Sequence, residues 1–361
     1  MTDSKRRVSR LQRHVKGSAG LYVISDPWNV RWITGLSLDA RTRIGITPRQ
    51  VFVFTDSCYS LEIRRKRPEF EVLDRAAPFS EKLADVVRKT RVQNVFVETD
   101  SLLYSDANAV KKALKGRRVI LGAGVIRAFR AEKDPSEIRS IRKAACIADQ
   151  AFSQVKELIR TGTQEKTFAA ELNNRAGRLG ADSQAFPCIA AWGARSAYPH
   201  SVPTGKKIGK RGIFLVDWGF VSGMYASDCT RSFLVGRTGG KIQDVYKIVL
   251  EANQIGLEAV KPGEPASEVD KKAREVIEKH GYGDCFGHAT GHGVGLQVHE
   301  RPTVNGKSEQ VLKPGMVITV EPGIYIPGLC GIRIEDLVVV TEKSRAILTT
   351  IPKDVESCTI S

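Results

Sequence analysis

The chain has 361 residues, 42% hydrophobic and 27% charged, with 32 glycines and 15 prolines. That is the composition of an ordinary globular protein, and it excludes collagen-like and low-complexity chains; the length allows a sizeable core and predicts two domains. No apolar run reaches the ~18–20 residues of a membrane-spanning helix, and the basic start MTDSKRRVSRLQRH lacks the apolar stretch of a secretory signal, so the expectation is a cytoplasmic protein with no membrane partner.

Seven cysteines (58, 146, 188, 229, 285, 330 and 358) form an odd, dispersed set with no Cys-x-x-Cys pair, which argues for reduced thiols acting as small hydrophobes. The net charge is +16, and residues 1–135 hold 27 Lys/Arg against 15 Asp/Glu while the remainder holds 29 against 25. A basic front half could serve a polyanion. It lacks an aromatic-interleaved motif or a reading helix, so nucleic acid is not the expected partner, and the basic run at 64–67 reads as a solvated helix face.

In chain order, residues 20–25 are a β-type run, 29–35 a short helix after Pro27, and 50–54 a buried strand closed by Thr55 and Asp56. Residues 80–90 and 107–114 show helical apolar spacing, with a strand at 94–97 between them. These elements predict a small α/β domain over residues 1–133. At Asp134, Pro135 and Glu137 a cap, a first-turn proline and an early acid mark a helix start. That helix runs through Ile138, Ile141, Ala145, Ile147 and Ala151. Residues 134–361 then give two long helices, strand-rich segments, two more helices around 241–259 and 266–280, and a strand-dominated end. This segregation predicts α+β layering.

Three of the six histidines fall within residues 288–299, and Gly291 and Gly293 flank His292, which allows close backbone approach. A second cluster lies at 216–231. Asp217 ends the apolar run Phe214-Leu215-Val216, where an acid needs a partner to tolerate desolvation. With Ser222 and Gly223 as a two-residue turn, Asp217 directly opposes Asp228, their Cβ atoms about 4.5–5.5 Å apart. Two such charges require a shared proton or a cation between them; turn-flanking acids in solvent are the alternative. In the third cluster Glu321 and Glu335 each end an apolar strand, and Arg333 shares a face with Glu335 by the two-residue period. A glutamate so placed is rare without a cation or donor; a surface Arg333–Glu335 ion pair is the alternative for that acid.

Together these are four strand-borne carboxylates and one imidazole, a set suited to Mn, Co, Fe or Zn. Five side chains exceed the needs of one tetrahedral zinc. Two divalent ions about 3.5–4 Å apart follow, which lower the pKa of a shared water and polarise a carbonyl. That chemistry is hydrolytic.

The three clusters, in this order, resemble those of the pita-bread metallopeptidases, specifically the Xaa-Pro aminopeptidases (aminopeptidase P) and Xaa-Pro dipeptidases (prolidases). The matching segments are VDWGFVSGMYASDCTR, HATGHGVGLQVHERP, and VITVEPGIY with GIRIED. RAEKDPSEIRSIRKAACIADQAF is similar to the family's approach to its catalytic domain, and LYVISDPWNVRWITGLS to the start of its creatinase-like amino-terminal domain. The resemblance implies a pita-bread catalytic domain behind a creatinase-like α/β domain, a homodimer, and proline-containing peptide substrates. It implies a dinuclear site of Asp217, Asp228, His292, Glu321 and Glu335, bridged by Asp228 and Glu335, with Mn the expected metal and Co, Fe or Zn the others. By the same resemblance His299 hydrogen-bonds the scissile carbonyl and steadies the tetrahedral intermediate, and His200 binds substrate near the proline. His288 lines the proline pocket, Arg333 supports the ligands, and Glu321 receives a proton from the nucleophilic water. Thr303 stands where some prolidases place a basic residue to hold the dipeptide carboxylate. On that ground Xaa-Pro aminopeptidase is the expectation and dipeptidase the alternative. A catalytically silent peptide- or nucleic-acid-binding relative is the remote alternative, and completeness of the ligand set argues against it.

Overall fold

A computed structural model of the chain describes residues 3–18, 20–74, 77–99, 101–122 and 124–361. The chain folds as two compact units, Met1–Phe129 and Arg130–Ser361.

The first unit is built on a six-stranded sheet of β1 (Gly20–Ile24), β2 (Arg43–Ile46), β3 (Val51–Thr55), β4 (Glu71–Asp74), β5 (Asn94–Glu98) and β6 (Arg118–Gly122), in the order β4-β3-β2-β1-β5-β6. β1 runs antiparallel to β2 and parallel to β5. Every residue of β3 is buried, as its unbroken apolar run requires of a strand covered on both faces. The helix Pro27–Thr34 starts on Asp26, whose carboxylate accepts from the Trp28 and Asn29 amides, and stops at Gly35 with φ +67°. The basic amino-terminal stretch, for which the sequence reading assigns no element, is a helix over Asp3–Ser18. Its Val8, Leu11 and Val15 are buried, a spacing that makes one apolar stripe. The run at 64–67 closes the helix Ser57–Lys66 with Arg64, Arg65 and Lys66 exposed. Arg67 instead turns back, and its Nε donates to the Thr34 carbonyl at 2.6 Å.

In the second unit the helix Pro135–Val155 opens with a complete capping box. Asp134 accepts from the Ser136 and Glu137 amides, and Glu137 accepts from the Asp134 amide. This helix and Glu165–Arg178 cover a sheet of Ile189–Trp192, Gly212–Trp218, Cys229–Val235 and Thr359–Ile360. A second helix pair, Gly240–Ala259 and Ala266–Lys279, precedes an antiparallel sheet. Its strands lie in the order Glu300–Val304, Gly291–Gly293, Val317–Val320, Asp336–Val340, Arg345–Ile347; a ribbon of Gly323–Ile326 and Cys330–Arg333 and a small sheet of Tyr225–Ala226, Phe220–Ser222 and Ser183–Gln184 accompany it. Phe152 stacks on Trp218 at 4.5 Å and on Phe233 at 5.3 Å, fixing the first helix to its sheet. Val216 and Trp218 belong to that core, so Asp217 between them points to the opposite face. Of the cysteines, 188, 229, 330 and 358 are buried, whereas Cys58 and Cys146 are exposed. Among the described residues no helix is long and apolar enough to cross a membrane.

Candidate metal centre

The hairpin carrying the two aspartates differs from the expected register. Ser222 pairs with Tyr225 and Val221 with Ala226, so the turn is Gly223–Met224, at φ +57° and +75°. Positive φ at both central positions marks the hairpin turn whose twist matches the strands. Glycine takes the first position without strain, but nothing local in the sequence marks methionine for the second. Asp217 therefore faces Thr230. Asp228, two residues earlier, is its diagonal neighbour on the same face. Both aspartates are buried, so the repulsion expected of a direct pair persists in the diagonal one.

His292 is the centre of the strand Gly291–Gly293, between Thr303 on one side and the strand Val317–Val320 on the other. A Cβ on Gly291 would overlap the Thr319 carbonyl, and one on Gly293 the Arg301 carbonyl, so only glycines let both neighbours close on the histidine. The His292 amide donates to Thr319 Oγ1 at 3.1 Å, and that hydroxyl donates to Glu321 Oε1 at 3.1 Å. His292 Nδ1 faces the Gly293 carbonyl at 3.2 Å, which places its proton there and leaves the Nε2 lone pair free. Nε2 lies 3.2 Å from Glu321 Oε1 and 3.6 Å from Asp228 Oδ2. Glu335 accepts from Thr230 Oγ1 at 2.7 Å.

Asp228, His292 and Glu335 each place one ligand atom within 4.8 Å of the others. Asp217 and Glu321 flank that triad. Asp217 Oδ2 takes Arg333 Nη2 at 2.7 Å, while its buried Oδ1 has no hydrogen-bond partner among the described residues. The strand bearing Arg333 ends at that residue, so Glu335 lies beyond it rather than on a shared strand face. Both side chains are buried and Arg333 pairs with Asp217, which removes the surface-pair alternative.

Four carboxylates thus share one guanidinium. Burial, then the charges of Glu335, Asp217 and Glu321, push Asp228 well above the usual carboxylate range. Burial, then Glu321 and Asp217, do the same to Glu335. Surplus buried negative charge, oxygen donors with one imidazole, and an orphaned carboxylate oxygen together fit divalent cations.

A cavity of about 430 Å³ opens over these acids, and all nine residues singled out from the sequence line it. His288 is locked in place: Arg333 Nη1 donates to Tyr325 Oη at 2.8 Å, Tyr325 Oη is 2.8 Å from His288 Nε2, and Nδ1 faces the Ala289 carbonyl at 2.8 Å. Tyr325 therefore donates to Nε2, and the ring is neutral; burial pulls its pKa down. His200 and His299 are exposed within the cavity. Sequence reasoning missed Thr230, Thr319 and Tyr325. The two threonines lie two residues from Asp228 and Glu321, where the strand period would have placed them on the same faces.

Residues 139–342 match metallopeptidase family M24, and residues 7–131 match the creatinase/prolidase N-terminal domain. The Xaa-Pro dipeptidase of Pyrococcus furiosus is 46% identical over 225 residues, 62% of this chain and 65% of that one. The structure of the Xaa-Pro dipeptidase from Bacillus anthracis matches with a TM-score of 0.92 at 34% identity, covering 98% of this chain and 99% of that one. The X-Pro aminopeptidase from Thermotoga maritima matches with a TM-score of 0.88 at 31% identity, covering 96% and 98%. With its creatinase-type amino-terminal domain and pita-bread catalytic domain, the chain is a metallo-exopeptidase that belongs to metallopeptidase family M24.

Proposed function

We propose that this family member is a prolidase, hydrolysing Xaa-Pro dipeptides with two divalent cations, Mn foremost, held by Asp217, Asp228, His292, Glu321 and Glu335. The observation that carries the reading is the single cavity of about 430 Å³ that unites the acids, His292 and three further histidines with the apolar walls Phe186, Pro187 and Ile189. That is a volume suited to a small ligand.

The choice of dipeptide is supported by the Pyrococcus furiosus and Bacillus anthracis proteins, Xaa-Pro dipeptidases at 46% and 34% identity, against 31% for the aminopeptidase. This reverses the preference drawn from Thr303. Thr303 is exposed and pairs with His292. Arg301, also exposed, stands two residues earlier, where the strand's pairing with His292 and Gly293 shifts register, and is the cation of this segment that we assign to a dipeptide carboxylate in place of a basic residue at 303.

When bound, the cations supply Lewis acidity at the scissile carbonyl and a water acidic enough to ionise near neutral pH. The chain's own residues do the rest. Burial disfavours the Glu321 charge, but Thr319 Oγ1 donates to Glu321 Oε1, and the Arg333 guanidinium nearby favours the charged carboxylate. Glu321 is therefore ionised and takes a proton from the nucleophilic water. His299 donates to the carbonyl oxygen as negative charge grows on it. His288, locked by Tyr325, walls the proline ring, Arg333 holds Asp217 from behind, and His200 meets the substrate in the cavity.

The test is hydrolysis of Xaa-Pro dipeptides against Xaa-Pro-Xaa tripeptides, after stripping metal and then restoring Mn or Co. Metal-dependent cleavage confined to dipeptides is expected. Comparable cleavage of tripeptides would return the aminopeptidase reading, and no cleavage of either by metal-loaded protein would remove both.

A further inference from the structure

The residue directly after His299 is a carboxylate that the proposed reaction does not use. The Glu300 side chain is only 7% exposed, and its two oxygens are divided between two cations. Oε2 takes Arg130 Nη2 at 2.5 Å and Oε1 takes Lys133 Nζ at 2.8 Å; those side chains are 2% and 1% exposed. The same Arg130 nitrogen donates to Gln297 Oε1 at 2.8 Å, so one guanidinium grips both ends of segment 297–300. The backbone is shaped around the carboxylate as well. A Cβ on Gly295 would overlap Glu300 Oε1, and the Gly295 amide donates to the Gln297 carbonyl at 2.9 Å. The cations are themselves anchored. The Lys133 amide donates to the Gly315 carbonyl at 3.0 Å, and Glu132 bridges to Met316, just before the strand Val317–Val320 that leads into Glu321.

His299 itself has little to orient it. Among the described residues no side chain hydrogen-bonds its ring, whose aromatic neighbour is His292 with ring centroids 4.2 Å apart. Its aim is therefore left to its backbone, and the residue that follows it is the clamped Glu300. A buried cluster of three charges is a poor source of stability compared with apolar packing, whereas supporting contacts that fix a reacting side chain are worth their cost in rate.

We propose that Glu300, clamped between Arg130 and Lys133, is a positioning residue that fixes the backbone of His299 and so aims its imidazole into the cavity. The proposal rests on the role given above to His299, and the test separates the two. Glu300→Gln, His299→Ala and the double variant are assayed as Mn-loaded enzymes on an Xaa-Pro dipeptide, with bound Mn measured for each. Glu300→Gln should lower kcat by roughly 10- to 100-fold with Mn content unchanged, and that loss should disappear in the His299→Ala background. A merely structural role would cost the same factor in both backgrounds. That result, or a fully active Glu300→Gln, overturns the proposal while leaving His299 its role. An unchanged rate in His299→Ala removes the role of His299 and the proposal with it. Should Glu300→Gln fail to fold, Lys133→Gln, which leaves the Arg130 contact in place, takes its position in the same cycle with the same expected non-additivity.

Discussion

Glu335 and Asp336 are consecutive and both buried, yet their surroundings drive them in opposite directions. Glu335 looks into the cavity, where burial and then Glu321 and Asp217 push it well above the carboxylate range. Asp336 looks the other way. Arg231 Nη2 lies 2.8 Å from Oδ1, Lys353 meets Oδ2, and Thr349 Oγ1 donates at 2.8 Å. Burial disfavours its charge, but Arg231 and Lys353 outweigh burial and hold Asp336 below its usual range. The two faces are joined, because Arg231 Nη1 also donates to the Glu335 carbonyl. On one face buried charge is matched and the network holds the strand in place. On the other it is in surplus, and a cation belongs there.

Substitution of one acid on each face tests this difference. The largest effect should come from Asp228→Asn on the surplus side, with loss of essentially all turnover and a fall in Mn bound per chain. In metal-free protein the same change should raise Tm. Asp228 titrates above its unfolded value of about 3.9 when folded, so its contribution becomes unfavourable as pH climbs past that value. The gain in Tm should therefore grow from about pH 4 upward. A lower metal-free Tm across that range would break the distinction between the faces. His299→Ala should keep its metal and lose roughly 100- to 1,000-fold in turnover; an unchanged rate would remove its role.

On the matched face, Asp336→Asn should cost about 3–5 kcal/mol, since it leaves Arg231 and Lys353 without their counter-ion; urea unfolding of metal-free protein measures this. A stabilised variant would mean that the face is not balanced. The smallest effect sharpens the comparison by pH. The folded pKa of Asp336 is depressed, so its contribution is fully present above the unfolded value of about 3.9 and is lost as pH falls through the lower folded value. The Tm difference between wild type and Asp336→Asn should shrink below about pH 4, opposite to the trend for Asp228→Asn.

The surplus face was legible in the sequence because its acids sit within or beside apolar strands, a position that few physical arrangements tolerate. Asp217 after Phe214-Leu215-Val216 and Glu321 after the strand Val317–Val320 carry that signal in their own neighbourhood. The matched face carried none, because Arg231 meets Asp336 across 105 positions; the cluster beside His299 was hidden in the same way, Arg130 meeting Glu300 across 170. The hairpin register is not legible in the sequence, because Met224 adopts a positive φ that its side chain does not announce. The amino-terminal helix is legible in the helical spacing of Val8, Leu11 and Val15, a stripe that the basic residues between them mask in composition. The choice between dipeptidase and aminopeptidase had no local signal beyond Thr303, and similar proteins rather than spacing shifted it.

The most direct measurement is the number of Mn ions bound per chain, by elemental analysis after stripping the protein and dialysing it against Mn, for wild type and Asp228→Asn. Two ions in the wild type and fewer in the variant is the expected result. A wild-type enzyme fully active with one ion or none, or a variant that keeps both, would contradict a two-cation centre built on this surplus of charge.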